Sequence, residues 1–399
     1  MTRITTDILV SGGGVAGLAA AAAFGSAGFS VICVDPAAPV TDAEADGADL
    51  RTTAFLQPSI PVLQAAGLWA RLEPFAAPLQ VMRIIDAGGP VAEPRIIKDF
   101  DAADISDQPF GWNLPNWLLR REMVARLAEL PDVSFRPGVA TTRVTTRQTE
   151  ALVTLSDGTR VSARLVVAAD GRGSVVREAL GIGVRTMRYG QKALAFAVTH
   201  PIPHQNVSTE IHRSGGPFTL VPLPDRDGLP CSAIVWMETG PEVQRLAALP
   251  VPDFEAEINT RSCGILGPLK LVTRLTQWPI ISQIADRMSG ERTALMAEAA
   301  HVMPPIGAQG LNMSLADLRV LLELATANPA TLGDAKMLDA YHRARHFEVQ
   351  ARITGIDALN RASMLGAPGL RDLRAKALDA LYSVAPLRRT LMRTGMGLR

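Results

Sequence analysis

Charge of one sign is missing from this chain of 399 residues: 40 Lys and Arg stand against 39 Asp and Glu, a net charge of +1. Such a balance supplies no long-range field toward nucleic acid. Cysteine is sparse and odd in number, with Cys33, Cys231 and Cys263 far apart. That excludes a disulfide framework and metal-ligand spacing, and it fits a reducing compartment. The six histidines are scattered, and none carries the acid of an H-E-x-x-H pair. No Ser-His-Asp constellation stands out either. A basic-then-apolar leader is absent, so a cytoplasmic location is expected. The charge-free run Ile8–Val34 is long enough to cross a bilayer. Ser11, Gly12, Gly13, Gly14, Gly17, Gly25 and Gly28 break it, and it reads as strand, turn, helix, turn and strand. What is present is apolar bulk: hydrophobic residues make up 47% and charged residues 20%, enough for one or two domains with a large core.

The first motif sits inside that run. Asp7–Ser11 has strand character, Gly12–Gly17 matches G-x-G-x-x-G, Leu18–Ala27 reads as an Ala-rich helix, and Phe29–Val34 as a second strand closed by Asp35. Strand, glycines, helix, strand and acid form the context that gives the motif meaning. Gly12 permits the tight turn, Gly14 lets backbone reach a pyrophosphate, and Gly17 lets helix pack on strand. The helix N-terminus adds N–H donors and a dipole contribution of about 0.3–1 kcal/mol. Asp35 is placed to accept from ribose hydroxyls, so the nucleotide is expected to be FAD or NAD rather than NADP.

Two further blocks follow. Ala151–Leu155 and Thr159–Ala163 flank the hairpin signal Ser156-Asp157-Gly158. Leu165–Ala169 reads as a buried strand ending in Asp170-Gly171. Late in the chain, Ala297–Asn312 (AEAAHVMPPIGAQGLN) is rich in Gly, Ala and Pro and runs into a helical pattern, Ser314–Leu324. Small residues before a helix start suit a loop whose N–H groups approach a ligand closely.

Together the three blocks resemble the flavoprotein aromatic hydroxylases of the para-hydroxybenzoate hydroxylase fold. That family runs G-x-G-x-x-G, then D-G, then G-D with A-A-H-x-x-x-P and Q-G-x-N. Here these are Gly12–Gly17, Asp170-Gly171, and Ala297-Glu298 with Ala299-Ala300-His301, Pro305, Gln309, Gly310 and Asn312. Shorter stretches look like the ubiquinone-biosynthesis hydroxylases: Trp112–Met123, Tyr189-Gly190-Gln191, Glu210 with Gly216-Pro217 and Val221-Pro222-Leu223, and Leu387–Leu398. The departures are Ala297-Glu298 in place of Gly-Asp, and Ala308 where a glycine precedes Gln309. An alanine there carries a cost if the backbone sits at positive φ.

The resemblance implies an α/β fold: a Rossmann-like FAD-binding domain over 1–80, 110–185 and 275–340, an inserted mainly β substrate domain over 81–109 and 186–274, and a C-terminal helical segment over 341–399. It implies an enzyme in which NAD(P)H reduces FAD, O2 forms a flavin C4a-hydroperoxide, and a polyprenylated phenol of ubiquinone biosynthesis is hydroxylated. The cofactor carries the hard chemistry while the protein binds, orients and excludes water. Gly12, Gly14, Ala16, Gly17 and Asp35 are expected to hold the ADP half. Arg51 matches the arginine nearing the FAD phosphates, and Arg120 a position near the diphosphate. Asp170 should contact FAD or support the nicotinamide approach, and Glu298 the ribityl chain or pyrophosphate. Backbone groups of Gly310, Leu311 and Asn312 should face the isoalloxazine. Pro305, Tyr189 and His212 are the candidate catalytic positions, with Phe196, Phe218 and Trp236 open as pocket or core residues. For His301 a structural role outweighs an acid–base one.

From Arg371 to Arg399 seven basic residues face two acids, an excess of five. Leu381, Val384, Leu387, Leu391 and Met392 fall near helical spacing. Such an end suits an anionic membrane surface, here the inner face of the membrane, or a biosynthetic-complex contact; packing on the main body is the equal alternative. A homodimer is left open. The competing readings are a small-phenol hydroxylase of the same fold, a flavin reductase or halogenase, and a flavin-binding assembly subunit without activity.

Overall fold

The computed structural model describes residues 3–364 and 368–398. Strand β1 (Arg3–Ser11) and strand β2 (Val31–Asp35) pair in parallel, with helix α1 (Val15–Ser26) crossing between them. A crossover helix is what parallel neighbours require. Both faces of the sheet are covered, so Ile8–Val10 and Val31–Val34 are apolar without alternation and buried. On α1 the run Ala19–Ala23 is buried, and its small side chains let the helix settle close to the sheet. The bilayer-length run is therefore strand, turn, helix, turn and strand, as its glycines indicate.

Across this sheet the order is Ser289–Gly290, Thr293–Leu295, Arg160–Ala168, β1, β2 and Val133–Pro137, with Thr141–Thr146 and Ala151–Leu155 branching from Arg160–Ala168. The sequence reading splits 159–169 into two strands. They are one strand, paired with β1 from Arg3 opposite Arg160 to Ser11 opposite Ala168. No turn residue interrupts it, and Arg164 reaches across to Asp7 at 3.0 Å.

The second sheet is largely antiparallel. Its order is His301–Val302, Thr276–Ala285, Val184–Thr199, Leu229–Thr239, Pro217–Arg226, Val207–His212, Val81–Asp86 and Ile96–Asp101. Its two faces follow the period-two alternation of strands. Leu194, Phe196, Ile211, Phe218, Ile234 and Trp236 point to one side, into a core beneath helices Gly240–Ala247 and Val251–Arg261. That places the aromatic candidates Phe196, Phe218 and Trp236 in core packing. Ala193, Val235 and Met237 point the other way, into the main core around β1 and α1. Strand Thr276–Ala285, expected within the FAD-binding part, belongs by its hydrogen bonds to this second sheet. The reason is its register: it lies along most of Val184–Thr199 while Ile280 and Ile284 stay in the main core.

A three-stranded sheet, Thr52–Leu56, Gly111–Pro115 and Ala77–Leu79, lies between the two larger ones. The C-terminal part is helical: Ala335–Met364, Pro368–Ser383 and Ala385–Met396. Residues 365–367 and Arg399 of the helical expectation lie outside the described residues. The last two helices pack on the edge of the antiparallel sheet. Lys98 pairs with Asp379 at 2.6 Å, Arg388 with Asp104 at 3.2 Å, and Phe100 meets the Tyr382 ring edge-on. Met392 and Met396 are buried against Ala102 and Phe110. Their other side stays open: Leu381, Val384, Leu387 and Leu391 are exposed. Among the described residues no helix is long and apolar enough to cross a membrane.

Candidate functional site

The glycine motif lies at the C-terminal end of β1, where open parallel sheets bind their ligands. Gly12 adopts φ +108°, and a Cβ there would stand 2.2 Å from the carbonyl oxygen of Ala169. At Gly17 a Cβ would fall 1.9 Å from the Gly12 oxygen. These two glycines close the turn and seat the helix. Gly14 differs: it precedes α1, and a Cβ there would meet no protein atom within 4 Å. Its backbone therefore faces open space at the positive end of α1, as a pyrophosphate requires. Ala16 sits in the first turn behind it and packs on the core.

Asp35 ends β2 and accepts from Gly13 N–H at 2.6 Å and Ala37 N–H at 2.9 Å, which fixes its carboxylate against the glycine loop. Asp170 follows the neighbouring strand. Its Oδ2 accepts from Val176 N–H at 3.2 Å, while Oδ1 is buried without a partner among the described residues. Burial pushes this carboxyl above its ordinary range, over the opposing hydrogen bonds from Ser174 and Val176. An orphaned buried acceptor beside the Gly12 turn suits a hydroxyl or amide of a bound nucleotide.

On the opposite wall, Asp49 gathers three donors. Arg51 binds it in two parallel contacts of 2.7 Å, Asn116 donates at 3.0 Å, and Arg120 approaches to 3.5 Å. Burial alone would raise the Asp49 carboxyl; Arg51, Asn116 and Arg120 outweigh it and hold it low. Arg51 also lies over the Trp278 ring at 5.3 Å. Arg120 is thus turned inward rather than solvated. Glu298 lies at the rim, exposed, with Arg172 at 3.6 Å.

The late block forms a turn and a loop that feeds helix Gln309–Ala327. Ala297 has φ +53° and Ala308 φ +56°. Both departures from glycine therefore keep a left-handed backbone, with alanine in it. Asn312 is a strut: its side chain accepts from Leu56 N–H at 2.8 Å and Ser59 Oγ at 2.7 Å and donates to the carbonyls of Ala54 and Ala308. Its side chain is thereby spent, leaving backbone as what it can offer a ligand. A Cβ on Gly310 would meet nothing within 4 Å, so the first turn of this helix opens outward. Pro305 is half-buried in the same loop.

Beneath that loop lies a network the sequence reading missed. His301 Nε2 meets Asp317 Oδ2 at 2.6 Å, Arg345 Nε meets Oδ1 at 2.8 Å, and Ala297 N–H points at the same carboxylate from 3.3 Å. All three side chains are buried. Burial would raise the Asp317 carboxyl, but the charges of His301 and Arg345 hold it below the usual range. His301 is structural. The signal was available: Asp317 is a lone acid on the apolar face of Ser314–Leu324. Gln309 is a second missed tie. Its amide donates to the carbonyls of Gly307 at 2.7 Å and Gly395 at 2.9 Å, while its oxygen takes Arg352 at 2.6 Å.

The three catalytic candidates do not converge. Tyr189 Oη meets Ser282 Oγ at 2.6 Å, and burial, with Asp357 nearby, pushes the phenol up to about 12. His212 Nε2 lies 2.7 Å from Glu210 Oε1. Two strands separate the Tyr189 strand from the His212 strand, a distance of about 14 Å across the sheet.

The residues present fit FAD: a cradle open at Gly14, a free acceptor at Asp170, and a helix start open at Gly310. Among the described residues no group of His, Cys, Asp and Glu could hold a metal. The comparisons agree. A family model for the FAD-binding domain matches residues 5–355. Ubiquinone hydroxylase UbiL of Rhodospirillum rubrum is 34% identical over 394 residues, covering 98% of this chain and 89% of that one. The 3-demethoxyubiquinol 3-hydroxylase of Escherichia coli is 25% identical over 404 residues, spanning all of both chains. In fold, p-nitrophenol 4-monooxygenase PnpA from Pseudomonas putida superposes with a TM-score of 0.80 at 20% identity over all of both chains. The chain belongs to this FAD-binding family and is a flavoprotein monooxygenase related to the ubiquinone-biosynthesis hydroxylases.

Proposed function

We propose that this monooxygenase hydroxylates a polyprenylated phenol of ubiquinone biosynthesis, with NAD(P)H and O2 as co-substrates. The observation that carries the reading is the inner face of the antiparallel sheet. Ala193, Ala195, Ala197, Ala233 and Val235 line up there on adjacent strands by register, opposite the face filled by aromatic core. Small apolar side chains there suit the neighbourhood of a flat ring and a flexible hydrocarbon. The far end of this face is covered by the C-terminal helices, whose exposed Leu381, Val384, Leu387 and Leu391 stand beside exposed Arg389 and Arg393. That combination suits peripheral seating on an anionic bilayer, from which a prenylated substrate would enter.

The flavin, when bound, supplies electron transfer from nicotinamide to O2 and insertion of oxygen into the ring. The protein's residues position it. Gly14 and the start of α1 take the pyrophosphate, Asp35 and Asp170 accept from hydroxyls, and Arg51 and Arg120 bring positive charge to the diphosphate side. N–H groups of Gly310, Leu311 and Asn312, with the helix dipole behind them, favour negative charge on the reduced ring. Pro305 stands in the loop that leads into this helix start and would help shape that side of the site. Ala297 keeps the left-handed turn, so the departure at Ala297-Glu298 gives no support to an inactive assembly subunit. The test is substrate-stimulated NAD(P)H oxidation by the yellow holoprotein with a geranylated phenol against para-hydroxybenzoate. Stimulation by the former alone supports the reading; preference for the latter would move the chain to the small-phenol hydroxylases, and a colourless protein that takes up no FAD would end both.

A further inference from the structure

The inner face of the antiparallel sheet carries one Glu–His pair that the flavin half of the site leaves unused. Glu210 and His212 are two residues apart on Val207–His212 and share a face, while Ile211 between them enters the opposite core. Glu210 belongs to a cross-strand row that reads Ala195, Val235, Thr219, Glu210, Ile84, Lys98. One end of the row packs on the main core through Val235. The other ends beneath helix Pro368–Ser383, where Lys98 meets Asp379. Glu210 is therefore buried on this face, between the flavin-binding body and its C-terminal cover. Two strand spacings, about 10 Å, separate it from Val235, with half-buried Thr219 between them.

Its two oxygens are not equivalent. Oε1 is 2.7 Å from His212 Nε2, whereas Oε2 makes no hydrogen bond among the described residues. His212 is flanked across the sheet by Pro217 and by Asp86, and Asp86 is itself committed to Arg95 at 2.6 Å and to Gly88 N–H at 3.1 Å. The acceptor left without a hydrogen bond among the described residues on this face is Glu210 Oε2. We infer that Glu210 Oε2 accepts the hydrogen of the substrate's ring hydroxyl, and that His212 is a positioning residue which fixes Oε1. The site then selects a free phenol over its ether, because an ether offers no hydrogen and leaves a carboxylate oxygen desolvated beneath it. The step is recognition only; no covalent bond changes. The inference rests on the function proposed above and transfers catalytic interest from His212 to its neighbour.

The experiment uses full-length holoprotein and two probes, ortho-geranylphenol and its methyl ether, with Kd read from the perturbation of the flavin spectrum. Wild type should prefer the phenol by about 10- to 100-fold, the range for a hydrogen bond to a charged group. Glu210→Gln should retain FAD, bind the ether as wild type does, and lose most of that preference. His212→Gln should weaken the phenol and spare the ether, whereas loss of packing alone would weaken both. Glu210→Asp should restore part of the preference. A phenol-to-ether ratio unchanged in Glu210→Gln, or equal weakening of both probes, overturns the inference while leaving the proposed function standing. A wild-type protein that responds to neither probe overturns both.

Discussion

Ala297 and Ala299 lie in one turn beside the expected flavin site, and replacing each with glycine should move stability in opposite directions. Ala297 has φ +53°, a conformation that costs an L-residue about 1–2 kcal/mol relative to glycine. Glycine gives back about 0.4–1 kcal/mol through the greater freedom of the unfolded chain. Ala297 also buries its methyl, which offsets about 0.5 kcal/mol, so the net expectation for Ala297→Gly is a gain of no more than about 0.5 kcal/mol; half-buried Ala308, at φ +56°, should gain about 0.5–1 kcal/mol as glycine. Ala299 is fully buried and does not share the positive φ. Its glycine variant loses a packed methyl and gains only unfolded-state entropy, a destabilisation of about 1–2 kcal/mol. Unfolding entropy near 2.1 cal/mol/K per residue makes 1 kcal/mol worth only about 1 °C in a chain this long. Matched scans of the apoproteins, with the double variant Ala297→Gly/Ala308→Gly to enlarge the gain, are therefore the assay. Destabilisation by Ala297→Gly equal to that by Ala299→Gly would refute the left-handed turn and the account of why the Gly-to-Ala departure is tolerated.

Gly14→Val should fold normally, because a Cβ there meets no protein atom within 4 Å, yet purify without flavin; yellow protein at full FAD content would show that the pyrophosphate lies elsewhere. Asp317→Asn should cost about 3 kcal/mol in urea unfolding, the lower end of the range for breaking a buried pair, since Arg345 loses its buried carboxylate and keeps only the more exposed Glu348 at 2.5 Å. The same carboxylate gives a pH dependence. Its value is held low in the folded state, so its contribution is complete above the ordinary carboxylate pKa near 3.9 and is lost as pH falls toward the folded value. The acid limb of wild-type stability should accordingly be steeper than that of Asp317→Asn, and superimposable limbs would remove Asp317 from the account.

The glycine motif was readable because its physics is local: a turn, a helix start and two strands lie within Asp7–Asp35. Ala297–Asn312 was readable as a loop before a helix for the same reason. Asn312 shows where that stops, because its side chain is consumed by Ala54, Leu56 and Ser59, over 250 positions away in sequence. Strand Thr276–Ala285 has a composition that suits either sheet, and it pairs with Val184–Thr199. Only its partner decides, and pairing is not written in one strand. Tyr189 and His212 looked like one aromatic pocket because both lie on alternating strands; strand order separates them. Glu210 entered only as part of a short match, since an acid on a β-strand carries no local mark of which face will be covered.

The nucleotide-binding sheet also dictates an order of events during synthesis. β1 and β2 are made first, yet β1 finds its other neighbour only in Arg160–Ala168, and the end of that strand, Val166–Ala168, remains an open edge until Thr293–Leu295 has been made. The loop expected to face the flavin ring comes later still. A nascent chain that has completed its glycine turn must therefore wait for most of its length with unpaired backbone on an apolar strand, the condition in which chaperone capture or mispairing competes with folding. Cofactor uptake becomes a late, whole-chain event, so truncation anywhere before the Gln309 helix should yield not a weaker flavoprotein but an unassembled one.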